Sequence, residues 1–238
     1  MLSHHHKTVF VHIPKCAGQS VETAFLIDVG LTWDTRAPLL LRYNDMPELG
    51  PPRLAHLIAR DYVRCRYVPQ DMFDSYFRFA IVRNPWSRTV SLYRHLNFNM
   101  SFREFVTQWL ADQLSRREAA DQYWFVRPQK EFVQDNGKLL VNEILRFETL
   151  NVDFGSIAAA TGLKTALPRV NKSRDDFELS EKGATPLRRM ISALGSVLSP
   201  DRRERYGDWK EFYNDDTAKI VRRLYEMDVS DFDYSFDR

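Results

Sequence analysis

A three-layer α/β fold with a central parallel sheet flanked by helices is the expectation that three features of the chain support together. Two runs, "TVFVHI" (residues 8–13) and "FRFAIVR" (residues 77–83), are nearly continuous in apolar, β-branched and aromatic character. Strands buried on both faces of a parallel sheet read this way. Each run passes at once into a short loop and then into residues at helical spacing, and this alternation predicts helices packed on one sheet.

The elements follow in order. Pro14 ends the first strand, and Val21, Ala24 and Phe25 recur at helical spacing beyond Gly18. Residues 34–53 are rich in turn formers and read as loop, and about 52–66 as helical. After the second strand, "NPWSRTVSLYRHL" offers Asn84 as a cap and Pro85 at the first helical position. Residues 101–114 and 117–135 read as helical. "LLVNEILRF" is a third strand ending near Phe147, and "NVDFGSIAAATGL" a helix stopped by Gly162. Residues 164–186 read as loop. Helices are expected over 186–198 and 215–227, the latter with Ile220, Leu224 and Tyr225 inward.

The 238 residues are 44% apolar and 28% charged, which suits a soluble globular protein with one sizeable core, and a single domain over 1–238 is the simplest partition. A formal net charge of +2 argues against nucleic acid as a partner, and the arginine pairs at 116–117, 188–189, 202–203 and 222–223 read as solvated helix faces. No run has the length of a bilayer span or the shape of a signal peptide. Two cysteines are too few for a disulfide framework, so a cytoplasmic location is the default. His4, His5 and His6 could ligate a metal, but in a frayed terminus the tract is not read as a site, and no metal is expected.

The stretch "VFVHIPKCAGQS" carries the first chemical signal. A strand-to-helix loop presents backbone N–H groups where the helix dipole favours negative charge. Gly18 permits close approach of an anion, Ser20 adds a hydroxyl, and Lys15 brings charge from the strand side. The order is not that of a Walker loop, in which Gly-Lys-Ser/Thr closes the motif. Cys16 has a packing role rather than a nucleophilic one. A second anion site is expected after the next strand, where Arg83 ends the strand and Arg88 and Ser91 lie three apart on one helix face. Two anion sites at neighbouring strand ends suit a ligand with two separated anionic groups.

These two motifs, "VFVHIPKCAGQS" and "SYFRFAIVRNPWSRTVSLY", resemble the paired motifs of the P-loop-like sulfotransferases of the sulfotransferase-2 type. The resemblance runs from about residue 8 to the end. It implies that Lys15, Ala17, Gly18, Gln19 and Ser20 hold the 5′-phosphosulfate of PAPS (3′-phosphoadenosine-5′-phosphosulfate), and that Arg83 and Ser91 hold its 3′-phosphate. The backbone N–H of Cys16 in the first loop and Arg88 on the face of Ser91 are expected to join them. "LPRVNKS" (167–173) resembles a later loop that closes over the cofactor, adding Asn171, Lys172 and Ser173. "EFYNDDTAKIVRRLYEMDVSDFDYSF" resembles the family's C-terminal helix and aromatic tail. Gln19 stands where threonine is usual, Arg169 where histidine is common, and Asp233 where glycine is frequent. The implied activity is sulfuryl transfer from PAPS to a hydroxyl, with PAP (3′-phosphoadenosine-5′-phosphate) as product and no metal.

Such transfer needs a base and positive charge on the leaving phosphate. Lys15 supplies the charge, and His56 in "RLAHLIARDYV" is the expected base, though its spacing from Arg53 and Arg60 also fits a solvent-facing position. His12 is expected to be a buried, hydrogen-bonded core residue. His95, Glu22 and Asp61 are weaker rivals for the base. Tyr123 and Trp124, next to Phe125 and followed by Arg127 and Gln129, are candidate acceptor-binding residues, and a carbohydrate is the expected acceptor. Two other readings compete. A nucleotide kinase or NTPase would need Gly-Lys-Ser/Thr, yet the one Gly-Lys pair, Gly137-Lys138, is followed by Leu139. A non-catalytic nucleotide- or polyanion-binding module would bind PAP without turnover.

Overall fold

In the computed structural model, which describes residues 1–168, 202–204 and 206–237, the central sheet has four strands in the order β1-β2-β3-β6. They are β1 (Leu2–Ser3), β2 (Thr8–Val11), β3 (Phe77–Val82) and β6 (Glu143–Arg146). β2 and β3 pair in parallel with Phe10 opposite Phe79, and β3 and β6 in parallel with Ala80 opposite Ile144. β1 runs antiparallel to β2, so the sheet is mixed rather than wholly parallel. The N-terminal stretch is also not frayed. Met1 and Leu2 are buried, and the Met1 amine donates to Phe10 O at 2.8 Å and Tyr62 Oη at 2.7 Å.

The two expected strand-to-helix units form. The helix Gly18–Asp28 buries Val21, Ala24 and Phe25, and the Phe25 ring stacks on Phe79, itself stacked on Phe10. The helix Pro85–Leu96 starts at Asn84, whose side chain accepts from Trp86 N and Ser87 N, with Pro85 at the first position. The helix Leu150–Thr161 follows β6 and ends at Gly162, in the left-handed region at φ 72°. Ser101 and Glu104 form a capping box, and helical turns run unbroken from Phe102 to Arg116. The helix Asp215–Leu224 buries Val221, with Tyr225 buried just beyond it, while Ile220 and Leu224 are only half-buried. The helix expected over 186–198 lies outside the described residues.

Three segments differ from expectation for local reasons. Residues 52–66 are not one helix but a 3₁₀ turn, Leu54–His56, and a short helix, Asp61–Arg64. Between them the Ala59 N–H donates to Phe132 O at 2.7 Å rather than up a helix. Residues 117–135 break into Arg117–Ala119, Tyr123–Val126 and Lys130–Val133. Arg127 precedes Pro128 and is pushed to the extended region, with φ −49° and ψ 151°. The expected strand 139–147 is split. Its first residue joins β5 (Lys138–Leu139), which pairs with β4 (Gln134–Asp135) across Asn136-Gly137. Both turn residues have positive φ, 48° and 79°, as a two-residue hairpin turn demands.

Candidate active site at the ends of strands β2 and β3

The loop after β2 is built from left-handed backbone. Lys15 has φ 69° and Ala17 φ 61°, neither being glycine, at a cost of about 1–2 kcal/mol each. Loops that mix left- and right-handed residues aim successive N–H groups into one concavity and bind anions. Ala17 then caps the Gly18–Asp28 helix, its carbonyl accepting from Ser20 N at 3.0 Å and Val21 N at 3.4 Å, so the N-terminal end of the helix dipole faces the loop. Gly18 itself is not in the left-handed region. It is required because a Cβ there would stand 1.9 Å from Nε2 of His12. What approaches this glycine closely is the histidine ring beneath the loop rather than an anion above it. Cys16 is 1% exposed with Sγ 3.4 Å from Gln129 Oε1, and burial pushes its thiol up to about 12. Its backbone N–H is donated to Ile13 O at 3.3 Å, and it offers a ligand no thiolate.

Arg83 leaves the end of β3 and leans towards this loop. Its Nη1 donates to Lys15 O at 3.2 Å, its Nε to Ser87 Oγ at 2.7 Å, and its guanidinium stacks over Phe147 at 4.2 Å. Nη2 makes no hydrogen bond among the described residues. Burial lowers the pKa of Arg83, so an anion beside it is attracted across little water. Ser87, one turn before the half-buried Ser91, is the partner that sequence reasoning missed, although it stands four residues from Arg83.

Arg88 corrects an expectation. It is 1% exposed, and its guanidinium donates to the carbonyls of Pro14, Arg127 and Phe125 and lies over the Tyr225 ring. Those bonds make it an internal brace between the loop and the C-terminal helices, not a ligand-facing group. The acceptor candidates are revised in the same way. Tyr123 is buried with its hydroxyl on Glu131 at 2.6 Å. Arg127 is buried against Tyr123 and pairs with Glu118. Gln129 is fully buried, and of the four only half-buried Trp124 is still open to an acceptor.

Gln129 has a different part. Its Oε1 accepts from Arg83 N at 2.8 Å, its Nε2 donates to Arg83 O at 2.8 Å, and the same Oε1 faces Cys16 Sγ. One amide therefore fixes the two loops relative to each other. Asp228 holds this residue in turn, accepting from Gln129 N at 2.8 Å and Lys130 N at 2.9 Å, although burial pushes its carboxyl up to about 6. Gln129→Ala is expected to leave the Arg83 N–H and carbonyl unpaired, at a cost of about 2 kcal/mol or more. Urea unfolding checks this, and a change below about 0.5 kcal/mol, the range of neutral surface substitutions, would contradict it.

His56 is buried, not solvent-facing. Its Nδ1 lies 3.0 Å from His12 O, and since a carbonyl only accepts, Nδ1 carries the proton and Nε2 a lone pair. Burial first, and then the neighbouring His12, hold the imidazole well below its ordinary value, so it is neutral at neutral pH. The rings of His12 and His56 are 4.4 Å apart, and Trp124 lies 5.7 Å from His56. His12 is the buried, bonded histidine expected, with Nδ1 donating to Glu22 at 2.6 Å. That bond commits Glu22, while Asp61 is paired with Arg64 at 2.8 Å and His95 is exposed against Phe125. Asn171, Lys172 and Ser173 lie outside the described residues, and Gly137-Lys138 lies in the β4–β5 hairpin.

Comparison with known proteins gives the family. The model of the sulfotransferase family matches residues 1–235, and the chain belongs to that family. It is 34% identical over 116 residues to an uncharacterized protein of Archaeoglobus fulgidus, a match covering 46% of this chain and 88% of that one. A crystal structure of retinol dehydratase in complex with androsterone and inactive cofactor PAP aligns with a TM-score of 0.43 and 15% identity, over 99% of this chain and 84% of that one. Sulfuryl transfer is the chemistry of the family to which the chain belongs. No helix among the described residues is long and apolar enough to cross a membrane.

Proposed function

We propose that the protein is a PAPS-dependent O-sulfotransferase, one domain over 1–238, acting on a carbohydrate hydroxyl in a reducing, cytoplasmic setting. The observation that carries this reading is the contact between the two anion loops, in which Arg83 Nη1 reaches Lys15 O at the ends of adjacent parallel strands. The residues fit a donor with two anionic ends: a left-handed loop at a helix N-terminus for one, and a desolvated arginine with Nη2 to spare for the other. When bound, the donor supplies an activated sulfuryl group, which forms a new S–O bond to the acceptor as its bond to the phosphate oxygen breaks.

The chain's own groups divide the work. Lys15 brings positive charge to the loop, where the leaving phosphate oxygen gains its electron pair. His56 Nε2 takes the proton of the attacking hydroxyl, its tautomer fixed by the His12 carbonyl. Trp124, beside His56, gives a sugar ring a flat face to stack on. Ser91 and the 171–173 segment complete the donor grip in this reading.

Calorimetry with PAP in Mg²⁺-free buffer tests the donor before any acceptor is known. Wild type is expected to bind, and Lys15→Ala and Arg83→Ala to lose about tenfold to a hundredfold in affinity, the worth of one charge-assisted contact. Unchanged affinity in both variants, or binding only when Mg²⁺ is present, would refute the assignment.

A further inference from the structure

We propose that His5, His6 and Asp28 form a site for a divalent transition metal of the zinc type, on the tip that joins β1 to β2. The three side chains offer one ligand atom each, all within 4.8 Å of one another. His6 Nε2 and Asp28 Oδ2 are hydrogen-bonded at 3.0 Å, and a metal would displace the shared proton at a separation close to the ligand–ligand edge of a tetrahedron with bonds of about 2 Å. The exposed His5 ring packs edge-on against His6 at 4.7 Å, which sets the third ligand beside the other two. A fourth position is left to water.

The surroundings are those of a prepared site rather than of a chance cluster. His6 Nδ1 meets Ser3 Oγ at 2.8 Å, and this hydroxyl can accept from Nδ1–H once Nε2 is ligated. The His6 ring is fixed edge-on against Phe25 at 4.9 Å. Asp28 Oδ1 accepts from Lys164 N at 3.0 Å and from Thr165 N and Oγ1, each at 3.2 Å, which aims Oδ2 at the histidines. The side chains of His6 and Asp28 are 2% and 9% exposed, so a cation between them is attracted with little screening by water. Two imidazoles and one carboxylate favour Zn²⁺, Co²⁺ or Ni²⁺ over Mg²⁺ or Ca²⁺. A bound ion would tie the hairpin tip to the end of the Gly18–Asp28 helix and, through Asp28, to Lys164 and Thr165.

Titration with Zn²⁺ and with Co²⁺ tests the site. One equivalent of Co²⁺ is expected to give the visible absorption of a four-coordinate centre. Zn²⁺ at a hundredfold excess over its Kd is expected to raise Tm by about 5 °C or more. His5→Ala and Asp28→Asn are expected to weaken Zn²⁺ binding at least tenfold, while His4→Ala, whose ring is bonded to Tyr76 instead, leaves it unchanged. Equal losses in His4→Ala and His5→Ala, or an affinity indifferent to Asp28→Asn, would overturn the site and leave only an exposed histidine tract. Should Asp28→Asn fail to fold, the His4 and His5 variants decide the matter by themselves.

Discussion

Replacing His56 by alanine is expected to lower kcat by about a hundredfold to ten-thousandfold, the usual worth of a positioned general base, with PAP affinity unchanged. The size follows from geometry: one nitrogen is committed to His12 O, so the other is the only place on this residue for a proton to go. The pH dependence adds a second signature. The folded-state pKa lies below the unfolded value, so the unfolded chain binds more protons in the window beneath about 6.5. Stability supplied by the neutral ring is therefore fully present above that pH and is lost as the solution is acidified towards the folded value. Thermal melts between pH 8 and 5 are expected to fall in the wild type and to fall less in His56→Ala. The acid limb of kcat/KM is expected well below 6.5. A limb at or above 6.5, or retained turnover in the variant, removes His56 from the mechanism.

Gly18→Ala is the second large effect. Alanine is ordinarily better than glycine inside a helix by roughly 0.5–1 kcal/mol, and the backbone at Gly18 is not left-handed. Propensity alone therefore predicts a gain. The added methyl, however, would meet His12 Nε2, Cδ2 and Cε1 at 1.9, 2.0 and 2.3 Å, so the ring has to move. Moving it breaks the bond to Glu22, a carboxylate only 1% exposed that would be left buried without its partner. Overpacking and the orphaned acid together are expected to cost about 3 kcal/mol or more. A fall in Tm of about 6–12 °C would register it. An unchanged or higher Tm would show that His12 does not fill the space beneath the loop.

Much of this was legible in the sequence, and the parts that were not have identifiable causes. β2 and β3 and their helices follow from apolar runs, Pro14, Asn84 and Pro85, because local signals and packing agree there. The segment around His56 misled because its spacing fits a helix, whereas the Ala59 N–H is taken by Phe132 O, a partner no local pattern reveals. Pro128 and Asn136-Gly137 were readable signals that a helical and a strand reading passed over. Arg88 shows the limit of motif reasoning about charge: spacing put it on the face of Ser91, but three carbonyls gather around its guanidinium from distant segments. The service of Gln129 to both loops is of the same kind, since its partners come from two other stretches of chain.

The Asp228 clasp has a consequence for the order in which the chain matures. The bonds that fix Gln129, and through it Arg83, reach across 99 residues, and Asn84 Nδ2 reaches Ser235 O across 151. Synthesis delivers the N-terminal elements first, and contacts of such long range close last. A polypeptide still emerging from the ribosome can carry both strand-end loops as sequence without holding them in register. Under the proposed function, competence to bind the donor is therefore acquired late, when the final helices dock.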